Sequence, residues 1–163
     1  MSENKYRTCS PLCHKDNDII CQFSILADET AGMAGLLCAL VTQEDLREEL
    51  RFVCGTIYSL TPAFRSGAAL SHDEFARLES LTMGHKNAAP RPVGVVLPMG
   101  CQSAALAHVL RVKCKGLVRL LCIQGQAENS LLFDYANLLS GYFYYLAFKL
   151  NALEGVEEIP YGK

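Results

Sequence analysis

The sequence predicts an all-α protein, a five-helix antiparallel bundle, and three observations carry that expectation. Apolar residues recur at helical spacing in five separate stretches, where strands would alternate. Start and stop signals stand at the ends of those stretches, among them the Ser71-His72-Asp73-Glu74 box, Pro62, Gly84 and Gly155. Half of the 163 residues are hydrophobic. A chain of this length buries roughly 70% of the surface its unfolded form exposes, which gives a full core without disulfides or metals.

From about Asp16 to Val41, the residues Ile19, Ile20, Phe23, Leu26, Ala27, Met33, Leu36, Leu37 and Leu40 predict one long helix, weakened locally by Gly32 and Gly35. A second helix begins at about Glu44 behind Thr42 as its cap, runs through Leu46, Leu50, Val53, Ile57 and Leu60, and stops near Pro62. The Ser-x-x-Glu spacing from Ser71 to Glu74 opens a shorter third helix, striped by Phe75, Leu78 and Leu81 and ended by Gly84. Residues 85 to 99 hold Pro90, Pro92 and Pro98 and read as an extended connection, of a length that is often functional. Helices from Ser103 to about Gln124 and from Ser130 to about Leu153 complete the set, the last stopped by Gly155. The chain thus divides into a polar, Cys-containing tail (1–15), a helical domain (16–153) and a C-terminal tail (154–163), with no internal repeat.

Fifteen Lys and Arg against seventeen Asp and Glu argue against nucleic-acid binding, which needs a basic excess. No unbroken apolar run approaches the ~20 residues of a membrane span. The polar segment from Met1 to Asp18 lacks the apolar core of a secretory signal, so the expectation is a cytoplasmic protein with no membrane partner. In a reducing compartment Cys38, Cys54, Cys101, Cys114 and Cys122 act as small buried hydrophobes.

On the fourth helix His108, Arg111, Lys115 and Arg119 fall within roughly 80° of arc, opposite Leu106, Leu110, Leu117, Leu120 and Leu121. They form one basic stripe. No acidic residue lies between Gly100 and Ala127, so the stripe is either a solvated face or the seat of an anion or carboxylate from elsewhere. Asp28, inside the apolar pattern of the first helix, is costly there unless paired, and an Asp28–Arg111 pair answers both anomalies. Asn137 and Ser140 share a face of the apolar fifth helix and need partners, either across the bundle or in a ligand. The run Tyr142-Phe143-Tyr144-Tyr145 is aromatic all round, which points to burial against another subunit, with core packing as the alternative. Cys9, Cys13 and His14, with Cys21 further on, offer metal donors at poor spacing; a thiol-bearing tail is the other reading. His72 belongs to a helix start and His85 to a loop.

Val95-Val96-Leu97-Pro98-Met99-Gly100, then Ala104-Ala105-Leu106 and His108-Val109-x-Arg111-x-x-Cys114-Lys115, resemble the cobalamin adenosyltransferases of PduO type. The pattern of that family is F-x-L-P-G-G, then H-V-x-R-x-x-C-R-R-x-E-R. Asn137-Leu138-Leu139-Ser140-Gly141 is similar to its N-R-L-S-D, and Asp28-Glu29 to its D-E-L pair, over about residues 16 to 153. The ethanolamine-utilisation (EutT) branch is closer still, sharing Leu-Arg-x-Lys and lacking the final Asp.

The resemblance implies a bundle that trimerises, binds ATP and a corrinoid near the subunit interface, and transfers the 5′-deoxyadenosyl group to cobalt(I) with loss of triphosphate. By the same resemblance Arg111 and Asp28 are catalytic, and Lys115, Arg119, Asn137 and Ser140 bind ATP. Asp28, Val95 and His108 would meet the corrinoid. Mg²⁺ accompanies ATP, and iron or zinc is the candidate for Cys9, Cys13 and His14. A cobalamin reductase or an adenosylcobalamin-dependent enzyme is the implied protein partner, in the cytoplasm or a bacterial microcompartment. Several positions depart from the pattern. Tyr6-Arg7-Thr8-Cys9 stands where the family has a T-K-T-G-D-x-G-x-T phosphate loop, and Val95 stands where it has the Phe that displaces the lower axial ligand. Gly116, Val118 and Gly141 replace its Arg, Glu and Asp. Such losses also suit a catalytically silent corrinoid carrier or sensor.

Overall fold

Alanine at successive turns lets the first helix lie close to its neighbours. In the computed structural model, which describes residues 19–88, 94–125 and 130–162, the chain forms α1 (Ile19–Leu40), α2 (Glu44–Ser66), α3 (His72–Ala88), α4 (Gln102–Ile123) and α5 (Leu131–Leu153). Phe23, Ala27, Ala31, Ala34 and Leu37 form the buried face of α1, which packs on α2 and α4. α5 packs on α4 and α3, and scarcely reaches α2. The core runs between them through Leu50, Ile57, Leu78, Leu110, Leu117, Leu139 and Phe143, all fully buried.

Several boundaries differ from expectation, each for a local reason. α2 continues through Pro62 to Ser66; Pro62 and Tyr58 are both exposed, so water can serve the carbonyl that the missing N–H leaves free. Its N-cap is Gln43 rather than Thr42, without a side-chain cap bond. α3 opens as expected, with Ser71 Oγ accepting from the Glu74 N–H at 3.2 Å, but passes Gly84 and ends at Ala88. Tertiary packing of Thr82 and His85 outweighs the ~1 kcal/mol that an interior glycine costs. His85 is therefore a buried helix residue and not a loop residue. Ser130 caps α5 by accepting from the Phe133 N–H.

Cys114 is buried and Cys38, Cys54 and Cys101 are half-buried, whereas Cys122, in the last turn of α4 beside the exposed Ile123, faces solvent. α1 is, among the described residues, the one helix long and apolar enough to cross a bilayer, a property the short unbroken apolar runs concealed; one of its faces, Phe23, Ala27, Ala31, Ala34 and Leu37, is core.

The chain beyond α5 does not leave the bundle. It turns back along the segment that enters α4: the Leu97 N–H donates to the Ile159 carbonyl and the Tyr161 N–H to the Val95 carbonyl, both at 2.8 Å, around an antiparallel bridge of Val96 with Pro160. Buried Asn151 holds the junction. Its Oδ1 accepts from the Cys101 N–H at 2.9 Å, and its Nδ2 donates to the Met99 carbonyl and to Glu158. Gly100 has φ of 141°, and a Cβ there would lie 2.0 Å from Asn151 Oδ1. Glycine is required on both counts.

Gly100→Ala is expected to cost about 3 kcal/mol in urea unfolding, from backbone strain and the clash together. In an Asn151→Ala background the clash is gone and the cost should fall to about 1–2 kcal/mol. Equal costs in the two backgrounds would show that Asn151 is not what excludes a side chain at Gly100.

Candidate functional site

α4 and α5 bring the polar residues of two apolar helices face to face. Positions 108, 111 and 115 of α4 and 137, 140 and 144 of α5 are each spaced by three or four residues, so each set lines one side of its helix. Between them lies a cavity of about 550 Å³, walled by His108, Arg111 and Lys115 on one side and by Asn137, Ser140 and Tyr144 on the other. Gly141 and Tyr145 extend the α5 wall, and Gly94, Val95, Val96 and Pro98 close one end. That end is the segment fixed by Asn151 and the returning C-terminal residues.

The charge in this cavity is unbalanced. Arg111 and Lys115 are cations, and among the described residues that line it there is no carboxylate. Neither makes an ion pair with a described residue. The Arg111 guanidinium carbon lies 5.7 Å from the centre of the Tyr144 ring, and Ser140 Oγ donates to the Arg111 carbonyl at 3.3 Å, which ties α5 to α4 at this level. Arg111 Nε and both ring nitrogens of His108 are buried without a hydrogen-bond partner. An orphaned buried donor costs about 1–3 kcal/mol, so these atoms are poised for a ligand. Burial, and then the neighbouring charge of Arg111, hold the His108 pKa below its ordinary value, so the ring is neutral at pH 7. Phe148 meets it edge-on, with ring centres 6.1 Å apart.

A second cavity of about 480 Å³ lies across α4, sharing Pro98, His108 and Arg111 with the first, and is lined further by Leu26, Ala105, Val109 and Val112. α1 comes close here: a Cβ on Gly116 would lie 2.9 Å from Leu26 Cδ2.

His108, Arg111, Lys115, Asn137, Ser140 and Val95 thus share one cavity, and Asp28 and Arg119 do not line it. Asp28 is exposed and does not pair with Arg111. It sits on the outward side of α1, next to the buried Ala27, so the burial that made a partner seem obligatory is absent. The acidic residue of α1 that does reach α4 is Glu29, whose carboxylate pairs with Lys113. Arg119 is exposed one turn beyond Lys115. The aromatic run divides. Tyr142 and Phe143 are buried in the bundle's own core, while Tyr144 and Tyr145 are half-buried and line the cavity. Tyr144 was the site residue hidden in that run, and its spacing of four from Ser140 was the signal for it. Cys9, Cys13 and His14 lie outside the described residues, among which no group of three or more His, Cys, Asp or Glu is placed to hold a metal.

Residues 12–150 match the family model described as cobalamin adenosyltransferase. A cobalamin adenosyltransferase of Cupriavidus metallidurans is 32% identical over 142 residues, covering 81% of this chain and 74% of that protein. A variant of the PduO-type ATP:corrinoid adenosyltransferase from Lactobacillus reuteri, complexed with ATP, shares the fold with a TM-score of 0.79 at 22% identity, over 93% of this chain and 94% of that one. A second variant from the same organism, complexed with cobalamin and ATP, gives 0.77 at 21% identity over 90% and 88%.

The neutral state of His108 has a consequence in solution. Its folded pKa lies below the ordinary 6.5, so below about pH 6.5 the unfolded chain binds a proton that the folded chain refuses. Stability from this group is therefore complete above that pH and falls as the pH drops towards the folded value. Urea unfolding at pH 7.5 and 5.5 should show a larger acid loss for the wild type than for His108→Asn; an identical loss would mean that His108 titrates freely.

Proposed function

We propose that the chain, which belongs to the cobalamin adenosyltransferase family, seats ATP in the cavity between α4 and α5 with the corrinoid beside it. Its activity is ATP:corrinoid adenosyltransfer: the 5′-deoxyadenosyl group of ATP passes to cobalt(I) to give adenosylcobalamin. The observation that carries the assignment of the site is the placement of two cations, Arg111 and Lys115, opposite Asn137 and Ser140 across a cavity that, among the described residues, no carboxylate lines.

The lone pair of cobalt(I) attacks C5′ of ATP; the Co–C bond forms, the C5′–O bond breaks, and triphosphate leaves with the bonding electrons. No side chain has to act as nucleophile. The protein's task is to hold the two substrates in line, to exclude water and to stabilise the charge that gathers on the leaving group. Arg111 and Lys115 face that charge from fixed positions on one helix face. Asn137 supplies polar atoms at the opposite wall, and Ser140 keeps the two walls in register through the Arg111 carbonyl. Neutral His108 can bond an uncharged polar group of either substrate without adding to the charge. Val95 and Pro98 offer the corrinoid an apolar surface, Val95 being 70% exposed. Mg²⁺ would enter on the phosphates of ATP.

We place the chain in the EutT branch of the family, a reading supported by Leu110-Arg111-Val112-Lys113 and by Gly141 in place of an Asp at the cavity wall. We also read it as a trimer. Val109 and Val112 on α4 and Ile25 and Leu36 on α1 are exposed apolar side chains, and Asp28 and Arg119 stand outside the cavity of their own subunit. In that assembly Asp28 would meet Arg111 of another copy. Cys38, Cys54, Cys101, Cys114 and Cys122 are free thiols, which supports a reducing setting, the cytoplasm or a microcompartment.

Reduced cob(I)alamin mixed anaerobically with MgATP and the protein should lose its absorption band as adenosylcobalamin forms. Arg111→Ala is expected to lower kcat/KM about 100-fold or more, and Lys115→Ala to raise the KM for ATP about tenfold. Wild-type rates in Arg111→Ala would remove this cavity as the site. Corrinoid retained with no product at any ATP concentration would make the chain a carrier or sensor.

A further inference from the structure

Behind the cavity, on the far side of α5, lies a buried polar network that the reaction does not use. Glu49 of α2 accepts at a single oxygen, Oε1, from the Tyr142 hydroxyl of α5 at 2.6 Å and from Nε2 of His85 on α3. The side chains of His85 and Glu49 are 4% and 11% exposed, and Tyr142 is fully buried. Burial and the adjacent Glu49 carboxylate push the Tyr142 pKa upward, which keeps its hydroxyl protonated as a donor.

Stability alone does not explain such a cluster. A carboxylate taken out of water is expensive, and well-packed apolar residues of similar volume often serve a core as well or better. Its position is more informative. α2 scarcely touches α5, and among the described residues the Tyr142–Glu49 bond is the one side-chain hydrogen bond joining them. Tyr142 lies between Ser140 and Tyr144 in sequence, but at 100° per residue it projects from the opposite side of α5. Cavity-side atoms stand about 6 Å from the helix axis, so a roll of about 10° moves them by about 1 Å, enough to take a hydrogen bond to ATP out of good geometry. α3 is close at the same level, where a Cβ on Gly141 would lie 3.9 Å from Thr82 Cγ2.

We propose that Glu49, His85 and Tyr142 are positioning residues that set the rotation of α5, and with it the placement of Asn137, Ser140 and Tyr144 around ATP. The inference rests on the ATP site assigned above. Ser140 pins α5 to α4 from the cavity side, and the network pins it to α2 and α3 from behind.

The test combines steady-state kinetics with amide hydrogen exchange on the full chain. Tyr142→Phe and Glu49→Ala should raise the KM for ATP about tenfold with kcat changed less than about threefold, and Glu49→Gln, which keeps an acceptor, should recover most of that loss. In the absence of substrate, the same two variants should speed exchange in residues 137–145 selectively. Leu60→Ala is the control, because it opens a cavity in a fully buried part of α2 eleven residues beyond Glu49, about 16 Å along the helix. Unchanged KM in Tyr142→Phe, an equal rise in Leu60→Ala, or exchange that quickens uniformly through all five helices overturns the proposal and leaves the network a stabilising core element. Selective exchange in α5, from a protein whose wild type makes no adenosylcobalamin, would instead retain the lock on α5 and reject the activity.

Discussion

The close approach of the backbone at Gly100 to Asn151 is the constraint on which the geometry of the site depends. α4 must start where α5 ends, and the segment between Gly94 and Cys101 has to pass over that corner. A single buried amide side chain satisfies the Cys101 N–H, the Met99 carbonyl and one oxygen of Glu158, so three points of the chain are tied to one group. The two backbone bonds from residues 159 and 161 then anchor Val95 and Leu97. Val95, Val96 and Pro98 consequently form a fixed wall rather than a loose loop. The first residues of α4 are aimed at the same time, and with them the whole face that carries His108, Arg111 and Lys115.

From that corner the cavity inherits its energetics. Among the described residues, the fold leaves the His108 ring and Arg111 Nε buried and unbonded, and it sets two cations where no carboxylate neutralises them. Each choice costs stability in the free protein. Both become favourable when a polyanion with polar edges occupies the space, and more so when charge moves onto its leaving group. A fully satisfied cavity would fold better and bind worse. The apolar excess of the core, continuous through all five helices, is what tolerates this local deficit.

The sequence made most of this readable, and its failures share a cause. Helix number and order followed from apolar spacing, and the basic stripe with Asn137 and Ser140 followed from spacing on single faces, since a helix maps sequence onto a surface without ambiguity. Packing between faces is not mapped that way. Asp28 looked buried because its neighbours are apolar, yet it occupies the outward side of an amphipathic turn, and Glu29 one residue later is the one that meets α4. Pro62 and Gly84 were read as stops because each costs a helix locally; solvent exposure at one and the burial of Thr82 and His85 at the other decide the outcome. The roles of Asn151, Glu49 and Tyr142 come from contacts 36 to 93 residues apart in sequence, and no local pattern announces them.

The departures of this chain from the family motif are mutually consistent in charge. Gly116 and Val118 stand where the motif carries an Arg and a Glu. Losing either alone would strand a charge on a half-buried face, at the cost an unpaired ion carries in the interior. Losing both leaves the net charge of α4 as the motif has it, while Gly116 admits Leu26 and Val118 packs against the core. Arg111 and Lys115 are untouched by the exchange, and they are the cations that face the cavity. At position 115 a lysine replaces the motif's arginine, a compact charge in place of a planar fork. In the proposed site, grip on a triphosphate through Lys115 would be electrostatic more than directional, which would shift the burden of orientation to Arg111 and to the wall formed by α5.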